Sequence, residues 1–330
     1  MRLSEKEANV LAAIELNAGL SIADVRRVTG YREHTIRYAL KALEERGVIS
    51  RSPFINLARL GFTLHNIFFS LSSDNKRVKD ELIEEMLITP EISWIAEFGG
   101  DYQYGIEICA FDLAEVQRIL YDLSEKFGNI FFQKAVSTQF AAHLLPRRYL
   151  SNKKFEVEPL TLKRKGGTVA IDELDEQILS VLADNGGVSH RKLASQIGTP
   201  LSTFELRVKR LTERGVIQGS FYGVNPESFG VSSYKLIVYG KGVSKTLRQN
   251  LLQFSIKHPH IISLFECFGS WDYELGVEVT EPQMVASITQ ELYEEFGQEL
   301  NNIQVLSKFK TLKFVMFPLV EKDAELKEAV

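Results

Sequence analysis

Cysteine, tryptophan and proline are scarce in this chain of 330 residues, which contains two, two and nine of them. Two cysteines give little material for a disulfide framework or a metal site, and Cys109 and Cys267 both lie in apolar, alternating stretches, so we expect buried thiols. No apolar run approaches the ~20 residues that a membrane span needs, and none follows the first charged residues. We therefore expect a cytoplasmic protein that is neither secreted nor membrane-spanning.

The chain also has little net charge, because 39 basic and 43 acidic side chains leave −4 at pH 7. Its 45% hydrophobic and 25% charged content is typical of folded globular proteins and excludes disordered, collagen-like and coiled-coil chains. At roughly 150 residues per domain, the length suggests two globular units or four small ones. Net charge alone does not indicate a nucleic-acid partner. The distribution of charged residues along the chain is more informative about such a partner.

An internal repeat organises the sequence. Residues 40–49, which read LKALEERGVI, return as residues 208–217, which read VKRLTERGVI, at an offset of 168. Gly30 returns as Gly198 at the same offset. A period this long indicates two copies of a two-part unit rather than a solenoid, whose repeats span roughly 20–50 residues.

The first part of each copy, about 55 residues long, has helical periodicity. In the first copy three short amphipathic segments are separated by Ser21, which is a good helix cap, and by Gly30, which predicts a turn. The third segment stops at Gly47, and the apolar pair Val48 and Ile49 predicts a strand. Two helices joined by a tight glycine turn and followed by a strand are the arrangement of a winged helix-turn-helix.

The second part of each copy predicts the order strand, helix, strand, strand, helix, strand, which is the ferredoxin-like β-α-β-β-α-β arrangement. Two helices cover one face of such a sheet, so the other face needs a partner, and the second copy is the natural one. The predicted fold class is α+β. The predicted domains are a winged helix-turn-helix over 1–55, a ferredoxin-like domain over 56–145, a basic linker over 146–167, a second winged helix-turn-helix over 168–222, a second ferredoxin-like domain over 223–320 and a tail over 321–330.

Over nearly its whole length the sequence resembles the leucine-responsive/asparagine-operon (Lrp/AsnC) regulators. The second copy carries the closer match, in residues 171–179, 192–194, 207–211, 214–217 and 269–273. The first copy departs from the family pattern at its opening residues and at Ala39, where the family has an arginine. The resemblance implies a DNA-binding transcriptional regulator whose ferredoxin-like domains pair and sense a small effector.

The residues themselves support DNA binding by the first copy, although a basic but merely solvated helix face is the alternative. Base edges are read by polar side chains and phosphates are held by arginine and lysine. The offset of 168 places Ala194, Pro200 and Glu205 where the first copy has arginines, so the two modules are not expected to be equivalent. The predicted DNA-binding residues are Arg26, Arg27, Arg32, His34, Thr35, Arg37, Tyr38 and Lys41, with Arg191, Lys192, Ser202, Thr203, Lys209 and Arg210 in the second copy.

Two further segments have open interpretations. The stretch 146–167 holds seven basic and two acidic side chains interleaved with Tyr149 and Phe155, and it either tracks the phosphate backbone or forms a solvated linker. In the resembling family, effectors such as amino acids bind near a glycine-aspartate turn. The alternative interpretation is that this turn only joins two strands, since glycine and aspartate are common in such turns. The matching positions are Gly99, Gly100, Asp101, Tyr102, Gly269, Ser270, Trp271 and Asp272.

No phosphate loop, nucleophile motif or cofactor fingerprint is present, and the six histidines have no metal-ligand or triad spacing, so we expect no enzyme activity, cofactor or metal. The alternatives are a tetrapyrrole enzyme resembling the two-copy sirohaem decarboxylases and a metabolite sensor without DNA binding. The second-strand region lacks a His-x-Tyr-x-Arg pattern, which disfavours the enzyme. The expected partners are double-stranded DNA and a small effector, with the ferredoxin-like domains paired as an intrachain pseudo-dimer or a homo-oligomer.

Overall fold

The computed structural model describes residues 2–72, 76–128, 130–163 and 167–318. The predicted tail over 321–330, and Arg164 and Lys165 of the predicted linker, lie outside these ranges. None of the helices within them combines the length and the apolar character needed to span a bilayer.

In chain order the elements are α1 (Glu5–Ile14), α2 (Ile22–Thr29), α3 (Glu33–Glu45), β1 (Ile49–Ile55), β2 (Thr63–Leu71), α4 (Lys76–Ile88), β3 (Ile92–Gly99), β4 (Tyr104–Ala110), α5 (Leu113–Phe127), β5 (Phe131–Leu144), β6 (Leu160–Lys163), α6 (Glu173–Asp184), α7 (His190–Gln196), α8 (Leu201–Glu213), β7 (Ile217–Val224), β8 (Ser232–Gly240), α9 (Lys245–Lys257), β9 (Ile261–Gly269), β10 (Tyr273–Val279), α10 (Met284–Phe296) and β11 (Leu300–Phe314).

Local sequence signals start and stop the helices of the first copy. Ser4 and Ser21 form capping boxes, in which each serine side chain accepts from the third residue of the helix while that residue's carboxylate accepts from the serine N–H. Gly30 ends α2 in the left-handed conformation, with φ at +75°. Ile36 and Leu43 on α3 are fully buried, so the opposite face of α3 lies on the surface.

The strand that follows each third helix pairs with its counterpart in the other copy. β1 and β7 form a two-stranded antiparallel ribbon in which Ile49 lies opposite Val224. At the two ends of the ribbon, the N–H of Asn56 donates to the carbonyl of Val216 and the N–H of Asn225 donates to the carbonyl of Val48, each at 2.8 Å. These two bonds join equivalent positions, so the copies are related by a local pseudo-twofold axis.

The two helix-turn-helix modules are packed across this axis. Phe229 and Val231, from the second copy, complete the core formed by α1, α2 and α3. Leu57 and Phe62, from the first copy, pack into the core formed by α6, α7 and α8. Each module therefore depends on the other half of the chain for part of its buried surface.

The ferredoxin-like halves close into one eight-stranded barrel in the described residues, in the order β2-β4-β3-β11-β8-β10-β9-β5, with β5 pairing back to β2. β5 and β11 are long because each pairs first within its own half and then with the other half. Ser137 lies opposite Gly269 and Ser307 lies opposite Gly99, again at equivalent positions. Side chains from the inner faces of both halves form one apolar cluster, which includes Phe68, Phe98, Ile237 and Leu306.

The barrel interior is polar at positions where the copies complement each other. Glu274, the second residue of β10, corresponds to Gly105, the second residue of β4. The Glu274 carboxylate accepts from Asn66 of the other half at 2.6 Å and from the Trp271 indole at 3.1 Å, and it pairs with Lys235 at 2.5 Å. If two first halves paired with each other, Gly105 would stand at the position of Glu274 and the bond from Asn66 would be lost. The interior therefore favours pairing between the two unlike halves.

The seam between β5 and β9 carries a buried ionic network. Glu266 pairs with His143 at 3.0 Å and accepts from Arg248 at 2.5 Å, while the other ring nitrogen of His143 contacts Thr161 of β6 at 3.0 Å. Burial opposes ionisation of Glu266, but the bonds from His143 and Arg248 outweigh it and lower the pKa of Glu266 to about 2. Cys109 and Cys267 are free and buried, as predicted.

Replacing Glu266 with glutamine is expected to reduce the free energy of unfolding by about 2 kcal/mol at pH 7. Because the pKa in the folded state is depressed from 4.5 to about 2, the contribution is complete above 4.5 and is lost as the pH falls towards 2. Urea unfolding at pH 7, 4 and 3 measures the difference between Glu266→Gln and the parent chain.

The exposed Glu295 on α10 supplies the control, since Glu295→Gln removes a carboxylate that lies on the surface. We expect the Glu266 difference to shrink on acidification and the Glu295 difference to stay small throughout. A Glu266 difference that is constant from pH 7 to pH 3 would contradict the assigned network.

Candidate nucleic-acid interface

Helix α3 presents a hydrogen-bonding and cationic surface because its apolar stripe is anchored in the module core. Ile36, Ala39 and Leu43 are buried, which turns Arg37 and Lys41 outward. Tyr38 is 77% exposed although it is a large aromatic residue. Among the residues predicted to bind DNA in this copy, Thr35 is half-buried and the exposed ones are Arg26, Arg27, Arg32, His34, Arg37, Tyr38 and Lys41.

The cations of this face are free to change partners. Arg37 and Glu33 lie 3.8 Å apart and Lys41 and Glu45 lie 3.6 Å apart, both on one helix and both exposed. Such pairs contribute only about 0.3–0.5 kcal/mol, so a phosphate readily replaces the carboxylate. Within the described residues, no carboxylate oxygen lies within 4 Å of the Arg32 guanidinium.

Helix α8 presents a different surface at equivalent positions. Glu205 stands at the position of Arg37, and Leu206, which is 66% exposed, stands at the position of Tyr38. A carboxylate is repelled by phosphates, and a leucine offers no hydrogen bond to a base edge. Among the residues predicted to bind DNA in this copy, Thr203 is half-buried and the exposed ones are Arg191, Lys192, Ser202, Lys209 and Arg210.

The arginine of the family pattern in the second copy has a structural role. Arg207 donates to Asp172 at 2.5 Å and to Asp175 at 3.0 Å, which joins α8 to the start of α6. The first copy has the buried Ala39 at the equivalent position, and there Arg46 and Glu7 form an ion pair at 3.0 Å between the end of α3 and α1. The first module therefore also has an ion pair between its first and third helices, although Ala39 replaces the arginine of the family pattern.

The predicted basic linker is folded against the protein. The Arg147 side chain is 12% exposed and donates to both carboxylate oxygens of Glu278 at 2.8 and 2.9 Å and to Glu15 at 3.0 Å. Tyr149 donates to Glu278 and stacks on the His260 ring with centroids 5.5 Å apart. These side chains cannot also follow a phosphate backbone, so that interpretation is wrong for Arg147 and Tyr149.

The remainder of the described linker is also in contact with the fold. Phe155 packs against the core of the first module, and the Lys153 ammonium lies 4.9 Å from the centre of the Tyr31 ring. Residues 160–163 form β6, which pairs with the end of β5. The linker thus ties α1, the barrel and the first module together.

The turn of the second copy that was predicted to bind an effector is filled by intrachain contacts. A Cβ on Gly269, whose φ is +147°, would lie 2.5 Å from the carbonyl oxygen of Val136, so only glycine permits this approach of β5. The N–H of Ser270 donates to Val136 at 2.9 Å, and the N–H of Trp271 donates to the Ser137 hydroxyl at 3.1 Å. The Trp271 side chain is 1% exposed.

The remaining turn residues are engaged in the same way. Asp272 accepts from the N–H of Gly240 at 2.7 Å. In the first copy, Gly99 lies against the Phe309 ring and Asp101 accepts from Gln304 at 2.5 Å. Gly100 adopts a φ of +120°, and Tyr102 is half-buried against the Phe68 ring. Effector binding at these turns stays a prediction. The hydrogen bonds within the chain leave the polar groups of the turns few donors and acceptors for a ligand.

Two cavities near the barrel were not predicted from the sequence. The first, which we term the barrel cavity, measures about 180 Å³ and is lined by inward side chains that include Ser233, Lys235 and Lys308. The second, the ribbon cavity, measures about 160 Å³ and lies between the β1–β7 ribbon and the barrel, next to Phe54 and Phe221. The sequence feature that could have indicated these cavities is the polar residues at inward positions of alternating strands.

Among the described residues no group of three or more histidine, cysteine, aspartate or glutamate side chains is arranged to hold a metal.

Comparison with known proteins supports the helix-turn-helix assignment. Residues 171–218 match a family model described as winged helix-turn-helix DNA-binding. The HTH-type transcriptional regulator FL11 of Pyrococcus furiosus is 32% identical over 111 residues, which cover 33% of this chain and 70% of that protein. The Bkd operon transcriptional regulator of Pseudomonas aeruginosa is 32% identical over 114 residues, covering 34% and 73%. The chain belongs to the helix-turn-helix transcriptional regulators of the Lrp/AsnC type.

A solved structure shares the two-copy fold. The crystal structure of the siroheme decarboxylase NirDL aligns with 96% of this chain and 95% of its own, with a TM-score of 0.60 and 12% sequence identity. At that identity the likeness concerns the fold alone. It shows that two helix-turn-helix modules and two ferredoxin-like modules are found joined in this overall arrangement in another protein.

Proposed function

We propose that this protein is a sequence-specific DNA-binding transcriptional regulator in which the first helix-turn-helix module supplies most of the affinity for DNA. The observation that carries the proposal is the outer face of α3, where Arg37, Tyr38 and Lys41 are all exposed beside the cations of α2. Arginine and lysine hold phosphates and read guanine, and the tyrosine hydroxyl adds a donor and an acceptor.

The unlike recognition helices predict an asymmetric target site. Two identical modules related by a twofold axis read a palindrome, since each half-site mirrors the other. Here Glu205 and Leu206 replace Arg37 and Tyr38, while the ribbon and the crossed cores hold both modules in one chain. We expect a non-palindromic site in which one half is read by α3 and the other is held through backbone contacts from Arg191, Lys192 and Arg210.

A small effector is part of this proposal. The resemblance places it at the glycine-aspartate turns, but the amides and carboxylates of those turns bond within the chain. In the described residues, two buried polar atoms without a hydrogen-bond partner, the Ser233 hydroxyl and the Gln139 side-chain oxygen, belong to residues that line the barrel cavity and the ribbon cavity. The effector site is therefore developed below from those two cavities.

A tetrapyrrole enzyme is the second candidate, because the whole chain shares the fold of NirDL. The barrel cavity and the ribbon cavity, at about 180 and 160 Å³, are each smaller than the roughly 300–1,000 Å³ of pockets for drug-sized ligands. A tetrapyrrole needs more room than either offers. A shifted absorption band on adding an iron porphyrin carboxylate to the full chain would favour the enzyme.

The DNA-binding proposal is tested by titrating the full chain onto its own upstream DNA at several salt concentrations, with a random duplex of equal length as control. We expect selective binding to the upstream duplex and a steep fall in affinity with salt, by about 0.9 in logarithmic slope for each phosphate neutralised. Weak and equal binding to both duplexes would overturn the proposal and favour a sensor that acts through protein partners.

A further inference from the structure

The barrel cavity and the ribbon cavity lie back to back. Glu107, Phe265 and Phe314 line both of them, so a ligand that passes these side chains occupies both. Their volumes are about 180 and 160 Å³, and a cavity of about 150 Å³ is large enough for benzene. Together they suit one molecule with a ring or short chain and a polar group at each end.

The polar end of the barrel cavity contains two groups without partners. Ser233 is 5% exposed and its hydroxyl has no hydrogen-bond partner among the described residues. Lys308 lies directly opposite Ser233 in the β8–β11 pairing and lines the same cavity. Side chains of directly opposed residues start about 4.5–5.5 Å apart at Cβ and leave the sheet on the same face, so both line one end of the cavity.

The neighbouring charges leave Lys308 as the free cation of this cavity in the described part of the chain. Glu278 is held by Arg147 in a two-oxygen pair, and Lys235 is paired with Glu274 at 2.5 Å. No described carboxylate oxygen lies within 4 Å of the Lys308 ammonium, although Glu278 lines the same cavity. Lys308 is half-buried, and burial lowers the pKa of its ammonium. A buried hydroxyl without a partner is costly, and an anion between the two groups accepts from the hydroxyl and favours the charged form of Lys308.

The remaining walls define the body of the ligand. Trp94, Phe265 and Phe314 are aromatic, and the Lys235 ammonium lies over the Trp94 and Phe265 rings at 4.9 and 5.0 Å from their centres. Burial raises the pKa of the Glu107 carboxyl, and the 2.7 Å bond from Ser93 offsets this only in part. At the far end, the Gln139 side-chain oxygen is buried without a partner beside the ribbon cavity.

We propose that the two cavities bind one small carboxylic acid with an apolar or aromatic body, whose carboxylate accepts from Lys308 and Ser233 and whose body passes Trp94 and Phe265. This inference deepens the effector part of the proposed function and rests on it for its biological role. The Gln139 oxygen adds a preference for a hydrogen-bond donor at the opposite end of the acid.

The position of the ligand gives it a route to the DNA-binding modules. Phe54 and Phe221 of the ribbon line the ribbon cavity and contact each other edge to face at 5.9 Å. The ribbon joins both modules to the barrel, so a ligand that fills this space changes the packing on which the orientation of α3 and α8 depends. Bound acid is expected to change affinity for DNA through the ribbon and not by contact with DNA.

The test measures ligand binding without DNA. Phenylacetate, 3-phenylpropionate and hexanoate are titrated into the full chain by calorimetry, each beside its neutral amide as the matched ligand. We expect at least one acid to bind about tenfold more tightly than its amide, and Lys308→Met to abolish that preference. Ser233→Ala is expected to weaken the same acid about threefold, and Lys310→Met, at an exposed lysine two residues along β11, leaves it unchanged.

A second signal locates the ligand. The chain has two tryptophans, Trp94 in the barrel cavity and Trp271 beyond it, so a bound aromatic acid is expected to change the fluorescence of Trp94. Trp94→Phe then removes the fluorescence change while calorimetric binding persists.

Absence of any preference for acids over amides, or a preference that survives Lys308→Met, would overturn the site. Because binding is measured on the free protein, failure of DNA binding leaves this result standing. A site that binds acids without changing affinity for DNA contradicts the coupling alone.

Discussion

Replacing Arg37 with alanine is expected to weaken binding to the target duplex by about 5- to 150-fold, because a bidentate arginine contact contributes about 1–3 kcal/mol. Arg37 is exposed on α3, and its only described ion pair, with Glu33 at 3.8 Å, is a weak one. The side chain is therefore available to DNA without breaking the fold. Fluorescence anisotropy with a labelled upstream duplex measures the change.

The chain supplies a matched pair that isolates the difference between the modules. Lys41 and Lys209 occupy equivalent positions, have side chains 74% and 73% exposed, and pair with Glu45 and Glu213 at 3.6 and 3.8 Å. We expect Lys41→Ala to weaken binding about fivefold and to lower the salt slope by about one, whereas Lys209→Ala changes affinity less than about twofold. Equal losses in the two variants would show that both recognition helices contribute alike.

Replacing Arg147 with methionine is expected to reduce the free energy of unfolding by about 3–5 kcal/mol, since it leaves two buried carboxyls without their cation. Glu15 and Glu278 are 0% and 2% exposed, and Arg147 lies between them. Burial raises the pKa of Glu15 despite the nearby guanidinium, whereas for Glu278 the bonds from Arg147 and Tyr149 outweigh burial and lower its pKa. Urea unfolding at pH 7 measures the loss.

The pH dependence of this variant follows from the same arrangement. Without Arg147 the pKa of Glu278 rises, so the folded variant takes up a proton more readily than the parent chain, and part of the lost stability returns as the pH falls from 7 to 5. Arg148→Met is the control, because Arg148 is exposed and makes one bond, from its side chain to the carbonyl of Ile256 at 2.9 Å. Comparable losses in the two variants would exclude the buried triad as the cause.

The sequence predicted well those features that depend on residues close together in the chain. Ser4, Ser21 and Gly30 mark helix ends through hydrogen bonds and backbone conformations that involve neighbours three or four residues away. Strand alternation predicted both ferredoxin-like halves, and the repeat placed α8 on α3 at an offset of 168. The exposed face of α3 followed from the positions of Ile36 and Leu43.

The sequence was less informative about contacts between distant residues. Arg147 belongs to a basic stretch that was interpreted either as following the phosphate backbone or as a solvated linker, yet it contacts Glu15 and Glu278 at separations of 132 and 131 residues. The turn at Gly269 has the composition of an effector site, but the approach of β5 fills it. A basic segment and a glycine turn have the same sequence pattern whether solvent, ligand or another strand covers them.

By itself the sequence determined the helices, the strands and the duplication, because periodicity, capping and motif spacing act within one element or between two copies of it. Only the tertiary structure decided that β1 pairs with β7, that the halves close one barrel and that Ser233 and Lys308 face a shared cavity. These outcomes depend on which buried surfaces and unpaired polar groups meet when distant segments pack, and no local pattern specifies that meeting.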